Sequence, residues 1–164
     1  LMRRLLEPYK TLEGFLHNSA VVMGRWVIAG TRLWTAPEAP PMPGGEMGDE
    51  GGDAGYVERE TRRLATSIAD ARQKEQQSPT PLTRVVAVHF PPLYSNEKTT
   101  AFLGPIEEYQ PKVCVYGHLH AGGIPAGFTG ERAGIRGAVG RGGEDRVLGQ
   151  DLGADPGQRV LDVQ

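Results

Sequence analysis

Short apolar runs alternate along the chain with polar stretches, and two of these runs dominate the pattern. Residues 85–88 and 113–116 are apolar, largely β-branched, and each run leads to a histidine. Uninterrupted apolar runs of this length are typical of strands buried inside a sheet. Between them, residues 98–109 carry aliphatic and aromatic side chains at helical spacing, which predicts a crossover helix. A connection of this length usually joins parallel strands, so the two runs are predicted to lie parallel.

Two hairpins and one long helix are predicted from the same kind of pattern. Apolar segments on either side of a glycine predict the hairpins, and an apolar stripe at spacings of three and four predicts the helix. The segments are residues 19–24 with 26–31, residues 56–77 for the helix, and residues 128–132 with 135–136. Strands alternating with helices predict an α/β fold.

Three of the four histidines lie where the two buried runs end. His89 follows the first run, and His118 and His120 follow the second run after Gly117. The carboxyl ends of parallel strands share one edge of a sheet, and open α/β sheets bind their ligands there. Gly117 is expected to permit a sharp turn, because a residue without a Cβ adopts positive φ readily. Three imidazoles converging on one point predict a metal site.

Each candidate residue also has a simpler interpretation. A single histidine at a strand end is more often a hydrogen-bonded loop residue than a ligand, and only the combination of all three at one edge favours a metal. Arg32 and Trp34 follow the strand predicted at residues 26–31 and would line a substrate groove, since a planar guanidinium matches phosphate oxygens. The alternative is a surface arginine beside a packing tryptophan. Carboxylates in the acidic loop at residues 36–55 are interpreted as solvated rather than as ligands.

Composition and charge narrow the class of protein. The 164 residues are 38% hydrophobic and 23% charged, which is typical of a globular domain. A net charge of −2 without a basic patch does not favour nucleic acid as a partner. The sequence has no apolar run of membrane-spanning length, and its single cysteine, Cys114, has no partner for an internal disulfide. The residues at its amino end are not expected to act as a signal peptide, because no apolar region follows the two arginines. We therefore expect a cytoplasmic protein without a membrane partner.

Four short motifs carry a resemblance to a known family. The motifs N-S-A-V-V, I-A-G-T-R-L-W, H-F-P-P and C-V-Y-G-H-L-H occupy residues 18–22, 28–34, 89–92 and 114–120. A histidine that ends one strand, followed by Gly-His-x-His at the end of the next, resembles the late motifs of the calcineurin-like metallophosphoesterases. The sequence around these motifs is most similar to that of a bacterial subgroup of predicted phosphohydrolases. The resemblance extends over residues 1–136, although Leu33 replaces the glycine that the family usually has between arginine and tryptophan.

The resemblance implies a partial fold. The family's earlier motifs include Asp-x-His and Asn-His-Asp, and neither string occurs in this sequence. Residues 1–136 are therefore expected to form the carboxyl-terminal portion of a metallophosphoesterase sandwich, with β-sheets flanked by helices and truncated at the amino end. Residues 137–164 are rich in glycine, charged and aperiodic, and a disordered tail is expected there because so little apolar surface offsets the ordering entropy.

The resemblance also implies a chemistry. The complete enzyme would hydrolyse a phosphate ester with a hydroxide activated by two divalent ions of manganese, iron or zinc. By motif matching, His89 and His118 would bind one ion and His120 the other. The general acid belongs to the missing motifs, so no catalytic acid is identified here, and at most one weakly bound ion is expected. The alternative is a non-catalytic fragment, or a complementing half that associates with a missing amino-terminal half.

Overall fold

The computed structural model describes residues 15–39, 54–96, 98–119 and 127–139. Six strands and two helices lie within these ranges. In chain order they are β1 Ser19–Met23, β2 Trp26–Thr31, α1 Ala54–Gln77, β3 Thr83–Val88, α2 Leu103–Tyr109, β4 Val113–Tyr116, β5 Gly130–Arg132 and β6 Ile135–Val139. None of the helices within this part of the chain has the length and apolar character needed to cross a membrane.

The strands form one mixed sheet in the order β1-β2-β3-β4-β6-β5. The inner neighbours β2, β3, β4 and β6 pair in parallel, and the antiparallel hairpin partners β1 and β5 lie outside them. Helix α1 connects β2 to β3 and helix α2 connects β3 to β4, as expected for parallel strands. The predicted α/β class is confirmed, and the metallophosphoesterase sandwich stays a prediction.

The two faces of the sheet carry different apolar sets. Side chains of both helices, including Leu64 and Ile106, pack on one face against alternate strand residues such as Val86 and Cys114. The intervening strand residues point to the other face, because successive side chains of a strand alternate between faces. They form a second buried cluster: Trp26, Ile28, Val85, Ala87, Val113 and Val115. A sheet that buries both faces explains why its strands are continuously apolar.

The helix predicted at residues 98–109 is shorter than expected. It begins at Leu103, because the chain before it is held in a tight turn by an isolated bridge between Leu93 and Thr99. The hydroxyl of Thr100 donates a hydrogen bond to the carbonyl of Pro92 at 2.9 Å and accepts one from the amide of Phe102 at 3.2 Å. These side-chain bonds compete with a helical backbone, so the helix starts only after them.

Residues 137–139, which were included in the predicted tail, belong to a strand. Strand β6 continues through Val139 and pairs in parallel with β4, with Cys114 opposite Gly137. Gly137 contributed to the prediction of disorder, but its lack of a side chain is required by packing. A Cβ at Gly137 would lie 2.9 Å from the Phe128 carbonyl oxygen. Residues 140–164 lie outside the described part of the chain.

Candidate functional site

The site is built from the loops that follow two adjacent parallel strands. Strands β3 and β4 end in register, with Val88 opposite Tyr116. The amide of Gly117 continues the ladder by donating to the carbonyl of His89 at 3.1 Å. His89 and His118 therefore leave the sheet at the same edge, as the sequence predicted.

The two imidazoles are in direct contact. Nε2 of His89 lies 3.2 Å from Nδ1 of His118, and the ring planes are inclined at 68°. Both residues are half-buried. The distance fits a hydrogen bond in which one nitrogen is protonated. It also fits a shared ion, since two nitrogens on one tetrahedral zinc at about 2.0–2.1 Å lie about 3.3 Å apart.

The turn that presents His118 has an unusual backbone. His118 itself adopts a φ of 67°, in the left-handed region, whereas Gly117 does not have positive φ. The expectation that Gly117 provides the positive φ is therefore wrong. The amide of Gly117 is still hydrogen-bonded to the carbonyl of His89, so the reversal falls on the next residue. A left-handed conformation costs a residue with a Cβ about 1–2 kcal/mol, and such strain is concentrated at functional positions.

Arg32 and Trp34 come to the same edge of the sheet. The carbonyl of Arg32 accepts hydrogen bonds from the amides of His89 and Phe90, each at 3.1 Å. The exposed guanidinium of Arg32 lies 4.2 Å from the centre of the Trp34 ring. Between them, Leu33 is fully buried and has a φ of 59°. Leu33 therefore has a backbone conformation that ordinarily favours glycine.

Phe90 links the predicted histidines to the predicted substrate residues. Its ring centre lies 4.2 Å from that of His118, 5.0 Å from that of His89 and 5.5 Å from that of Trp34. Sequence reasoning missed this role. The only signal was an aromatic residue directly after a strand-end histidine, and such a residue usually packs in a core. Phe90 does pack there, since it is 5% exposed.

Two buried tyrosines, Tyr94 and Tyr116, carry neutral hydroxyls. The hydroxyl of Tyr116, the last residue of β4, donates to the carbonyl of Phe128. Burial raises the pKa of Tyr116 above its usual range. Burial, with a smaller contribution from the Glu38 carboxylate, also raises the pKa of Tyr94 to about 12. Both tyrosines therefore remain protonated at neutral pH and serve as uncharged packing groups rather than as bases.

The third predicted ligand, His120, lies outside the described residues, as do the acidic positions at residues 46–53. Within the described ranges, no three or more side chains of histidine, cysteine, aspartate or glutamate are grouped closely enough to hold an ion. The structure thus brings together His89 with His118 and places Arg32 with Trp34 beside them.

No protein-family model matches the chain, no curated protein matches it, and no solved structure matches it.

Proposed function

We propose that this chain carries the histidine part of a metal-dependent phosphoesterase site. The observation that supports the proposal is the pair of imidazole nitrogens 3.2 Å apart at the carboxyl edge of the sheet. Imidazole nitrogens at this separation suit zinc, iron or, with carboxylates, manganese. His89 and His118 would hold one ion, and His120 is proposed as a ligand of a second.

A divalent ion would supply charge stabilisation for phosphoryl oxygens and would acidify a water molecule for attack on phosphorus. The chain's own residues would bind and orient the ester. The guanidinium of Arg32 is exposed and held in place by Trp34, so its planar donors can bind phosphate oxygens in pairs. Phe90 packs against the His118 ring and restricts water on that side of the pair.

Calorimetric titration with zinc tests the proposal. We expect one weakly bound ion in the wild-type chain. His89→Ala and His118→Ala each remove a ligand, and each should weaken zinc binding by more than about tenfold, since even the loss of a group supporting a ligand costs that much. His17→Ala is the matched control, because the ring of His17 is exposed and stacks on Phe15 at 6.0 Å. Unchanged zinc affinity in both site variants would remove the proposed site.

The alternative function, a non-catalytic half, is supported by a different observation. Within the described residues, His89 and His118 have no third histidine, cysteine, aspartate or glutamate close enough to complete an ion site, whereas catalytic zinc sites have three protein ligands. The remaining ligands would then come from a partner half. Hydrolysis of p-nitrophenyl phosphate by the zinc-loaded chain distinguishes the phosphoesterase from the non-catalytic half. Turnover lost in His118→Ala favours the enzyme, and zinc binding without turnover favours the non-catalytic half.

A further inference from the structure

A second group of side chains extends away from the histidine pair. The rings of Trp34 and Tyr56 are nearly parallel, with centres 5.9 Å apart and an interplanar angle of 20°. A guanidinium lies on each ring: Arg32 at 4.2 Å from the centre of Trp34, and Arg59 at 4.2 Å from the centre of Tyr56. We call these four residues the arginine–aromatic stack.

The outer end of the stack is fixed by a buried carboxylate. Glu60 in α1 is 1% exposed, and one of its oxygens accepts hydrogen bonds from Arg59 at 3.2 Å and Arg63 at 2.7 Å. Its other oxygen is buried without a hydrogen-bond partner among the described residues. A buried carboxylate bound by two arginines fixes the position of Arg59, and hence of the guanidinium that lies on Tyr56. At the inner end, the side chain of Arg32 has no acid partner within the described ranges and is held by stacking alone.

The order of the rings decides which ligand the stack fits. Phe90 lies next to His118 but is 5% exposed, so its ring offers no surface to a ligand. Trp34 is the next ring outward, and both Trp34 and Tyr56 are half-buried. A flat group bound there is separated from a phosphate at the histidine pair by the width of one buried ring. An ester with a spacer between its phosphate and its ring fits this distance better than an aryl phosphate.

We propose that the arginine–aromatic stack binds the base of a nucleoside monophosphate whose phosphate lies at the histidine pair. The inference rests on the proposed phosphoesterase site for the phosphate, and the base subsite stands on the stack itself. Nucleobases stack on aromatic rings and on guanidinium planes. The ribose supplies the spacer. Arg32 would serve both parts, because a guanidinium that lies on a ring keeps its N–H edge for phosphate oxygens.

A single-tryptophan protein tests the base subsite directly. The chain has two tryptophans, and Trp26 belongs to the cluster on the opposite face of the sheet. In Trp26→Phe, emission therefore reports Trp34 alone. Adenosine and adenosine 5′-monophosphate should quench this emission with saturation, whereas ribose 5-phosphate should leave it unchanged. Equal binding of ribose 5-phosphate and adenosine 5′-monophosphate, or the absence of any quenching by adenosine, would overturn the proposal.

Substitution of Trp34 provides the second measurement. Trp34→Leu should weaken binding of adenosine 5′-monophosphate about tenfold by calorimetry, the expected loss for one stacked base. Trp34→Phe keeps an aromatic ring and should retain most of the affinity, which excludes a fold defect as the cause. Unchanged affinity in Trp34→Leu would contradict the proposal. Quenching by adenosine in a chain that fails to bind zinc would refute the phosphoesterase proposal and leave the base subsite intact.

Discussion

The left-handed backbone at Leu33 predicts an unusual order of stability between two substitutions. The side chain of Leu33 is fully buried, with 0% of its surface accessible, and its φ is 59°. Truncation of a buried leucine to alanine typically costs about 2–5 kcal/mol. At a position with negative φ, substitution by glycine usually destabilises the protein more than substitution by alanine. At Leu33 we expect glycine to be as stable as alanine or more stable.

The magnitude follows from two opposing terms. Removing the Cβ at a positive φ relieves about 1–2 kcal/mol of steric cost. The greater freedom of glycine in the unfolded chain costs about 0.5–1 kcal/mol. The unfolding free energy of Leu33→Gly should therefore exceed that of Leu33→Ala by about 0–1.5 kcal/mol. Leu64 is the matched control, since it is equally buried but lies within α1. There Leu64→Gly should be about 1 kcal/mol less stable than Leu64→Ala.

Urea denaturation followed by far-ultraviolet circular dichroism measures all four variants with a common slope. The comparison of glycine with alanine at each position cancels most of the cavity cost, because both substitutions remove the leucine side chain. Should glycine be less stable than alanine by the same amount at Leu33 and at Leu64, the left-handed turn that brings Arg32 and Trp34 together would be refuted.

Three further predictions concern the core. A Cβ at Gly30 would lie 2.7 Å from the Ala87 carbonyl oxygen, whereas a Cβ at Gly104 meets nothing within 4 Å. Gly30→Ala should therefore lower the unfolding free energy by about 1–3 kcal/mol, while Gly104→Ala should not lower it. Equal effects of the two substitutions in urea titrations would contradict this. Burial, with a contribution from Glu75, raises the pKa of Tyr109 from 10.0 to about 12. The contribution of neutral Tyr109 to the unfolding free energy is therefore fully present below pH 10 and is lost as the pH rises towards 12. Tyr109→Phe should make the unfolding free energy fall less steeply over this range in alkaline denaturation curves. An unchanged slope would argue against it. Burial also raises the pKa of the Cys114 thiol to about 12, so its alkylation at neutral pH should follow unfolding rather than proceed in the native protein; rapid labelling without denaturant would show the strand to be open.

The sheet was largely predictable because its strands bury both faces. Continuous apolar runs such as residues 85–88 and 113–116 indicate buried strands without any knowledge of their partners. The start of α2 was not predictable from periodicity, since it depends on the side-chain hydrogen bonds of Thr100. The hairpin of β5 and β6 was predicted, but the extension of β6 through Val139 was missed for a similar reason. The close approach of Phe128 to Gly137 is a tertiary contact, and glycine-rich composition alone indicates disorder.

The candidate site was predictable in its residue types and less so in its geometry. The topology of parallel strands was sufficient to bring His89 and His118 to one edge. The residue with positive φ was assigned wrongly to Gly117, because the ladder bond of its amide is not visible in the sequence. The arginine–aromatic stack joins a strand end to the first turns of α1, so no local pattern indicates it.

X-ray absorption at the zinc edge of the zinc-loaded chain tests the central claim most directly, because it counts the imidazoles bound to the ion. The account predicts at least two imidazole nitrogens at about 2.0–2.1 Å, with one fewer in His118→Ala and an unchanged spectrum in His17→Ala. A wild-type spectrum without paired imidazole scattering, or one that the loss of His118 leaves unaltered, would contradict a shared ion at the tips of β3 and β4.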